Sequence, residues 1–99
     1  MNSENYWWHP EAEAEFLASF QWYYQRDADA ADSFEVEIDR ALALIGRNPK
    51  TWPAYIYQTQ KFVLRHYPFN LVFRQRSSRI EIIAVAHQRR KPGYWKNRI

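Results

Sequence analysis

The stretch VAHQRRKPGYWKNRI, residues 85–99, concentrates side chains that can do chemistry. Arg89, Arg90, Lys91, Lys96 and Arg98 crowd around Tyr94 and Trp95. Arginine interleaved with aromatic rings pairs with phosphates and stacks on bases or guanidinium planes. His87 ends the apolar run before this segment and has Arg89 and Tyr94 close in sequence. Its proton is labile near neutral pH, which makes it a candidate general acid or base. Each feature also has a plainer reading. A basic tail can be a solvated tail with Trp95 tucked onto a sheet, and a strand-end histidine can simply bond to backbone. Arg65, Arg74, Arg76 and Arg79 come from strands upstream, so the positive field extends beyond the tail.

Other chemistries find no support in the residue spacing. The chain has no cysteine, which excludes disulfides, thiolate nucleophiles and cysteine-based metal sites and fits a reducing cytosol. His9, His66 and His87 lack metal-ligand spacing and an acidic cluster beside them, so no metal or other cofactor is expected. No glycine-rich phosphate loop or nucleophile elbow occurs. Glu11, Glu13 and Glu15 follow Pro10 and read as a solvated first helical turn. The opening MNSENYWWHP lacks the apolar run of a signal peptide, and no segment approaches the ~20 apolar residues of a membrane span.

The elements that must position these residues come from composition and period. A chain of 99 residues, 46% hydrophobic, predicts a single domain over 1–99 with a real core. The formal net charge of +3 hides a division. Residues 1–49 carry three basic and ten acidic residues, net −7, whereas residues 50–99 carry eleven basic residues and only Glu81, net +10. That asymmetry predicts an anionic partner for the second half. Residues 5–8, NYWW, read as a short strand ended by His9-Pro10. A first helix runs from Pro10 to about Arg26, with Phe16, Phe20 and Tyr23 on one face, widened by Leu17 and Tyr24. Trp22 falls to the side of this stripe. Asp29 is a candidate N-cap for a second helix, carried by Phe34, Ile38, Leu42 and Ile45 and stopped by Gly46 and Asn48-Pro49. After Pro49 the residues become β-branched and aromatic, predicting strands over 61–68, 69–75 and 79–87, with a hairpin turn at SSR. The near-continuous apolar run IEIIAVA (80–86) reads as a strand covered on both faces, or with one face kept for a partner. The result is an α+β domain, β-α-α-β-β-β, with a helical hairpin on a small antiparallel sheet.

Five blocks carry a resemblance: HPEAEAEF (9–16), YYQRDADAADSFEVEIDRALALI (23–45), NPKTWP (48–53), RHYPFNLVFR (65–74) and AVAHQRRKPGYWKNR (84–98). In order and spacing the chain resembles the RelE/ParE superfamily of toxins from bacterial type II toxin–antitoxin modules, in its ParE-like plasmid-stabilisation branch. The resemblance covers nearly the whole chain. It implies the RelE/ParE-like fold, a cytoplasmic location, no membrane association, and a hetero-oligomer with an acidic antitoxin encoded beside the toxin. It implies one of two targets. RelE-like members cleave mRNA on the ribosome without a metal, by attack of a ribose 2′-OH with cationic stabilisation of the phosphorane. In that case Lys61, Arg65, His87 and Tyr94 would be the catalytic residues. ParE-like members poison DNA gyrase. The surface for target and antitoxin would then comprise Arg65, Arg74, Arg76, His87, Arg89, Arg90, Tyr94, Trp95 and Arg98. Asn70 and Gln88 stand where cleaving members tend to carry arginine, and Val63 replaces a second strand lysine. Each missing cation would cost on the order of 10²-fold in a site that works by charge stabilisation. The resemblance therefore points to a gyrase poison, with mRNA cleavage as the alternative and a non-toxic, antitoxin-binding remnant as a third reading.

Overall fold

The change from strand to helix happens at His9. The computed structural model describes residues 6–99, and Asn5 of the expected first strand lies outside them. Strand β1 is Tyr6–Trp8. Helix α1, Pro10–Arg26, begins with Pro10 in its first turn, while His9 Nδ1 accepts the Glu11 N–H at 3.1 Å. A single residue, Asp27, separates α1 from helix α2, Ala28–Arg47. Asp27 serves both helices. Its N–H donates to the Tyr23 carbonyl at 2.8 Å, and its Oδ1 accepts the Asp29 N–H at 3.0 Å. The N-cap therefore sits at Asp27, two residues before the expected Asp29, because α1 continues to Arg26 and leaves no room for a longer link.

Strands β2 (Ala54–Tyr55), β3 (Thr59–Val63), β4 (Phe69–Arg76) and β5 (Arg79–His87) follow. The sheet has five strands in the order β1-β5-β4-β3-β2. β1 runs parallel to β5 and the remaining pairs are antiparallel, so the sheet is mixed at one edge. β1 and β5 are separated in sequence by both helices and β2–β4, a connection long enough for parallel pairing. β3 ends at Val63, not at 68. Glu37 of α2 takes the backbone N–H groups of Arg65 and His66 at 2.6 and 3.0 Å, and Tyr67 donates to the Ala30 carbonyl at 2.9 Å. These bonds bend residues 64–68 out of the sheet, so His66 lies in a turn and not in a strand.

One face of the sheet packs against α1 and α2. Phe16, Phe34, Ile38, Leu42 and Ile45 meet Phe69, Leu71, Phe73, Ile80, Ile82 and Val85 there. Leu17 and Tyr24 do not widen this contact, since each is at least half exposed. An irregularity between Val72 and Phe73, opposite Ile82 to Ala84, shifts the alternation in mid-strand. The second face carries Val72, Ile83, Ala84 and Ala86 and is covered by the C-terminal segment through Trp95, with Tyr55 and Tyr94 beside it. β5 is thus buried on both faces by parts of the same chain.

Candidate functional site

α1 and the C-terminal segment are clasped by Glu15. β1 ends at Trp8, so β5 beyond Ile82 has no strand beside it on that edge. Side chains supply the missing partners. Glu15 Oε1 accepts the Val85 N–H at 2.9 Å, and Arg98 donates to the Ile83 carbonyl at 3.1 Å. Arg98 also donates to both Glu15 oxygens at 3.0 and 2.9 Å, and the Tyr94 hydroxyl donates to Glu15 Oε2 at 2.7 Å. Glu15 is therefore the hub of the terminus and not part of a solvated turn. The Arg98 side chain is only 8% exposed. Burial works against its charge, but the Glu15 carboxylate outweighs that effect and raises its pKa. Burial also pushes the Tyr94 phenol far above its ordinary value, and the bonded carboxylate of Glu15 adds to the shift.

Beside this clasp lies a small cleft of about 40 Å³, on the face away from the helices. Asn70, His87, Arg90, Lys91 and Tyr94 are among its lining residues. The Arg90 guanidinium stacks 3.7 Å from the Tyr94 ring centroid. His87 is anchored locally: its Nδ1 accepts the Arg89 N–H at 3.1 Å, and its ring meets Phe69 edge-on at 5.1 Å. This is the plain reading of a strand-end histidine. Lys61 sits over the Tyr55 ring at 4.5 Å, at the rim of the same region, with Lys96 5.2 Å from Tyr57.

The second face also holds the arginines of the β4–β5 hairpin. Strand alternation puts Arg74, Arg76, Arg79 and Glu81 there, together with Trp7 of β1. Glu81 accepts from Arg74 at 2.7 Å and from Arg79 at 3.3 Å. Burial pushes the Glu81 carboxyl up, but the two guanidinium bonds outweigh it and hold it below the usual carboxylate range.

Not every residue singled out in the sequence belongs to this face. Trp95 is 1% exposed, so it supports the surface from below and presents nothing to a partner. Arg98 is turned inward to Glu15. Arg65 lines a different groove, with Glu37, Arg40 and Val63 beside α2, well apart from the cleft lining. Lys61, Arg74, Arg76, Arg90 and Tyr94 do share the second face.

This arrangement can be set beside known proteins. The family described as "ParE toxin of type II toxin-antitoxin system, parDE" matches residues 6–92. The chain belongs to the ParE toxin family. Among solved structures, a chromosomal ParDE toxin–antitoxin system from P. aeruginosa superposes with a TM-score of 0.73 at 17% identity, covering 84% of this chain and 94% of that one. A comparison with curated proteins gives no match. ParE-family membership makes this a type II toxin with an antitoxin partner, and the similar structure has the same fold. Within this ParE chain, sequence reasoning missed Glu15, whose role depends on a residue 83 positions away. No sequence signal marks it, because the strand edge that Glu15 meets is left open only by the short pairing of β1 with β5. Among the described residues no helix is long and apolar enough to cross a membrane, and no cluster of three acidic, histidine or cysteine side chains could hold a metal ion.

Proposed function

We propose that this toxin poisons DNA gyrase in the cytoplasm and is neutralised by an acidic antitoxin encoded beside it. The observation that carries this reading is the engagement of Tyr94 and His87 in structural hydrogen bonds. Tyr94 donates to Glu15, and its phenol is shifted away from the range useful for proton transfer at neutral pH. His87 Nδ1 is occupied by the Arg89 N–H. Arg65, a cation the cleavage reading needs, lines a groove by α2, and Asn70 and Gln88 line the cleft where arginines would be wanted. The cleft keeps Arg90 and Lys91, but a site that lacks Arg65 and whose tyrosine and histidine are tied into structural hydrogen bonds is ill suited to proton transfer at a phosphorane. The cationic second face, by contrast, suits recognition, and an acidic antitoxin segment complements the charge of its terminal end around Arg90 and Lys91.

The test is a supercoiling assay with purified gyrase. The toxin should inhibit supercoiling and trap cleaved DNA, and a translation extract should be unaffected. New message ends at A-site codons, lost with Tyr94→Phe, would replace this reading with ribosome-dependent cleavage by the cleft of Asn70, His87, Arg90 and Tyr94. Unchanged growth on induction, with no effect in either assay, would leave the non-toxic remnant.

A further inference from the structure

We propose that the β4–β5 hairpin end of the second face docks directly on the phosphate backbone of duplex DNA, through Arg74, Arg76 and Arg79. This goes beyond gyrase poisoning, because naked duplex is the ligand. Three guanidinium-bearing positions share one face at the hairpin, with one carboxylate, Glu81, between them. Arg76 and Arg79 are directly opposed in register. Like charges placed across a strand pair destabilise it. A single carboxylate, Glu81, offsets three cations here, so the hairpin end keeps a net positive charge for an anionic ligand. Glu81 fixes Arg74 and Arg79 by hydrogen bonds, and Arg79 also lies 5.6 Å from the Trp7 ring, so its planar fork is held in place while half of its side chain remains exposed. Fixed guanidinium forks suit phosphate oxygens. The exposed Ser77 and Ser78 at the turn add hydroxyl donors of the kind that contact the backbone.

Duplex DNA fits this patch better than an acidic polypeptide does. Protein partners draw on apolar anchors at the centre of a contact. The exposed apolar side chains of this region, Ile56, Tyr57 and Val63, lie around β2 and β3, at the opposite sheet edge from β1. Phosphates need only the cations and donors that the hairpin end provides.

The experiment is fluorescence anisotropy of the full chain with a labelled duplex of about 20 base pairs, titrated between about 50 and 200 mM salt. Binding should weaken steeply with salt. Arg76→Ala and Arg79→Ala should each weaken binding several-fold at low salt and reduce the log–log salt slope by about 0.9, the value for one lost phosphate contact. Arg47→Ala, at the end of α2 and away from the face, should leave the slope unchanged. Arg76 is exposed, so its removal leaves the fold intact and the result readable. Absence of binding at the lowest salt overturns the proposal. So does a slope that Arg76→Ala and Arg79→Ala leave unaltered. Displacement of the duplex by polyglutamate of equal charge at equal concentration would also overturn it, in favour of an acidic protein. Gyrase inhibition by a chain that binds no DNA would sink this inference alone.

Discussion

Glu15 is where single side chains decide the most. It receives a backbone N–H, a phenol and a guanidinium, and all three donors come from residues 85 and beyond. Replacing it by alanine leaves the Val85 N–H without its acceptor and the nearly buried Arg98 with only the Ile83 carbonyl and the more distant Glu11 carboxylate. Breaking such a pair from one side costs about 3 kcal/mol or more. Urea unfolding of Glu15→Ala should show a loss of that size. Tyr94→Phe removes one donor while Arg98 still holds the carboxylate, so it should cost only about 1 kcal/mol in the same measurement. Under the gyrase reading any loss of inhibitory potency in Tyr94→Phe should follow weakened binding or folding, whereas a phenol acting in catalysis would lose turnover with binding unchanged. Glu37 makes a second residue-scale case. Burial tends to raise its pKa, but the His66 backbone and imidazole and the Arg65 N–H outweigh it and lower it. Glu81 shifts the same way. For both, the folded-state pKa lies below the unfolded value, so the folded protein binds fewer protons than the unfolded chain in that range. The stability they contribute is complete above the ordinary glutamate value of about 4.3 and is lost as pH falls through the folded-state values. Denaturation midpoints measured down this acid range should drop, and Glu37→Gln should flatten that dependence.

At the scale of elements, turns carry the strain. Ser77 and Ser78 have φ of 51° and 68°, the doubly left-handed form of a two-residue hairpin turn. Serine is a poor residue for it, and asparagine-glycine is the preferred pair. Ser77→Asn with Ser78→Gly should therefore stabilise the protein by about 1 kcal/mol, read as a raised denaturant midpoint. Gly93 is the reverse case. Its φ is 83°, and a Cβ there would come 2.9 Å from Tyr57 Cε2. Tyr57 and Gln58 themselves have φ of 58° and 61°. The terminus and the 56–58 turn hold each other, with Tyr57 set edge-on to Trp95 at 5.9 Å. Gly93→Ala should cost at least about 1–2 kcal/mol from backbone strain alone, seen as a lower melting midpoint. Gly46 shows how misleading a local signal can be. It reads as a helix stop, yet it lies inside α2, where an added Cβ would overlap the Tyr6 hydroxyl that donates to the Leu42 carbonyl. An added Cβ would have to push the Tyr6 side chain aside, and the helix ends one residue later.

For the molecule as a whole, the division of charge along the chain becomes a division in space, with exceptions. The acidic first half folds largely into the helices, and the basic strands and terminus build the second face. Arg98 and Glu15 cross that division and lock the two halves together. The antitoxin and target readings both rest on the remaining cations, and reversing exposed ones should show it. Arg89→Glu with Arg90→Glu should weaken antitoxin association and make it less sensitive to salt, as read by calorimetry at two salt concentrations.

The sequence by itself determined the two helices, the hairpin of the last two strands and most of the core, but it missed the two-residue strand Ala54–Tyr55, too short to show a period. Phe34, Ile38, Leu42 and Ile45 repeat at helical spacing, and residues 80–86 form an apolar run too continuous to have a wet face. These are local periods, and burial follows them directly. The cation count of the second half was equally legible, because charge is a property of composition. Only the tertiary structure decided which charges are offered outward. Arg98 and Arg90 are both tail cations, yet one is buried on Glu15 and the other stacks on Tyr94 beside the cleft. Trp95 looked like a contact residue and is core. The parallel pairing of β1 with β5, and the open strand edge it leaves, set these outcomes. Contacts spanning about eighty residues depend on how elements close in space, and no spacing along the chain encodes them.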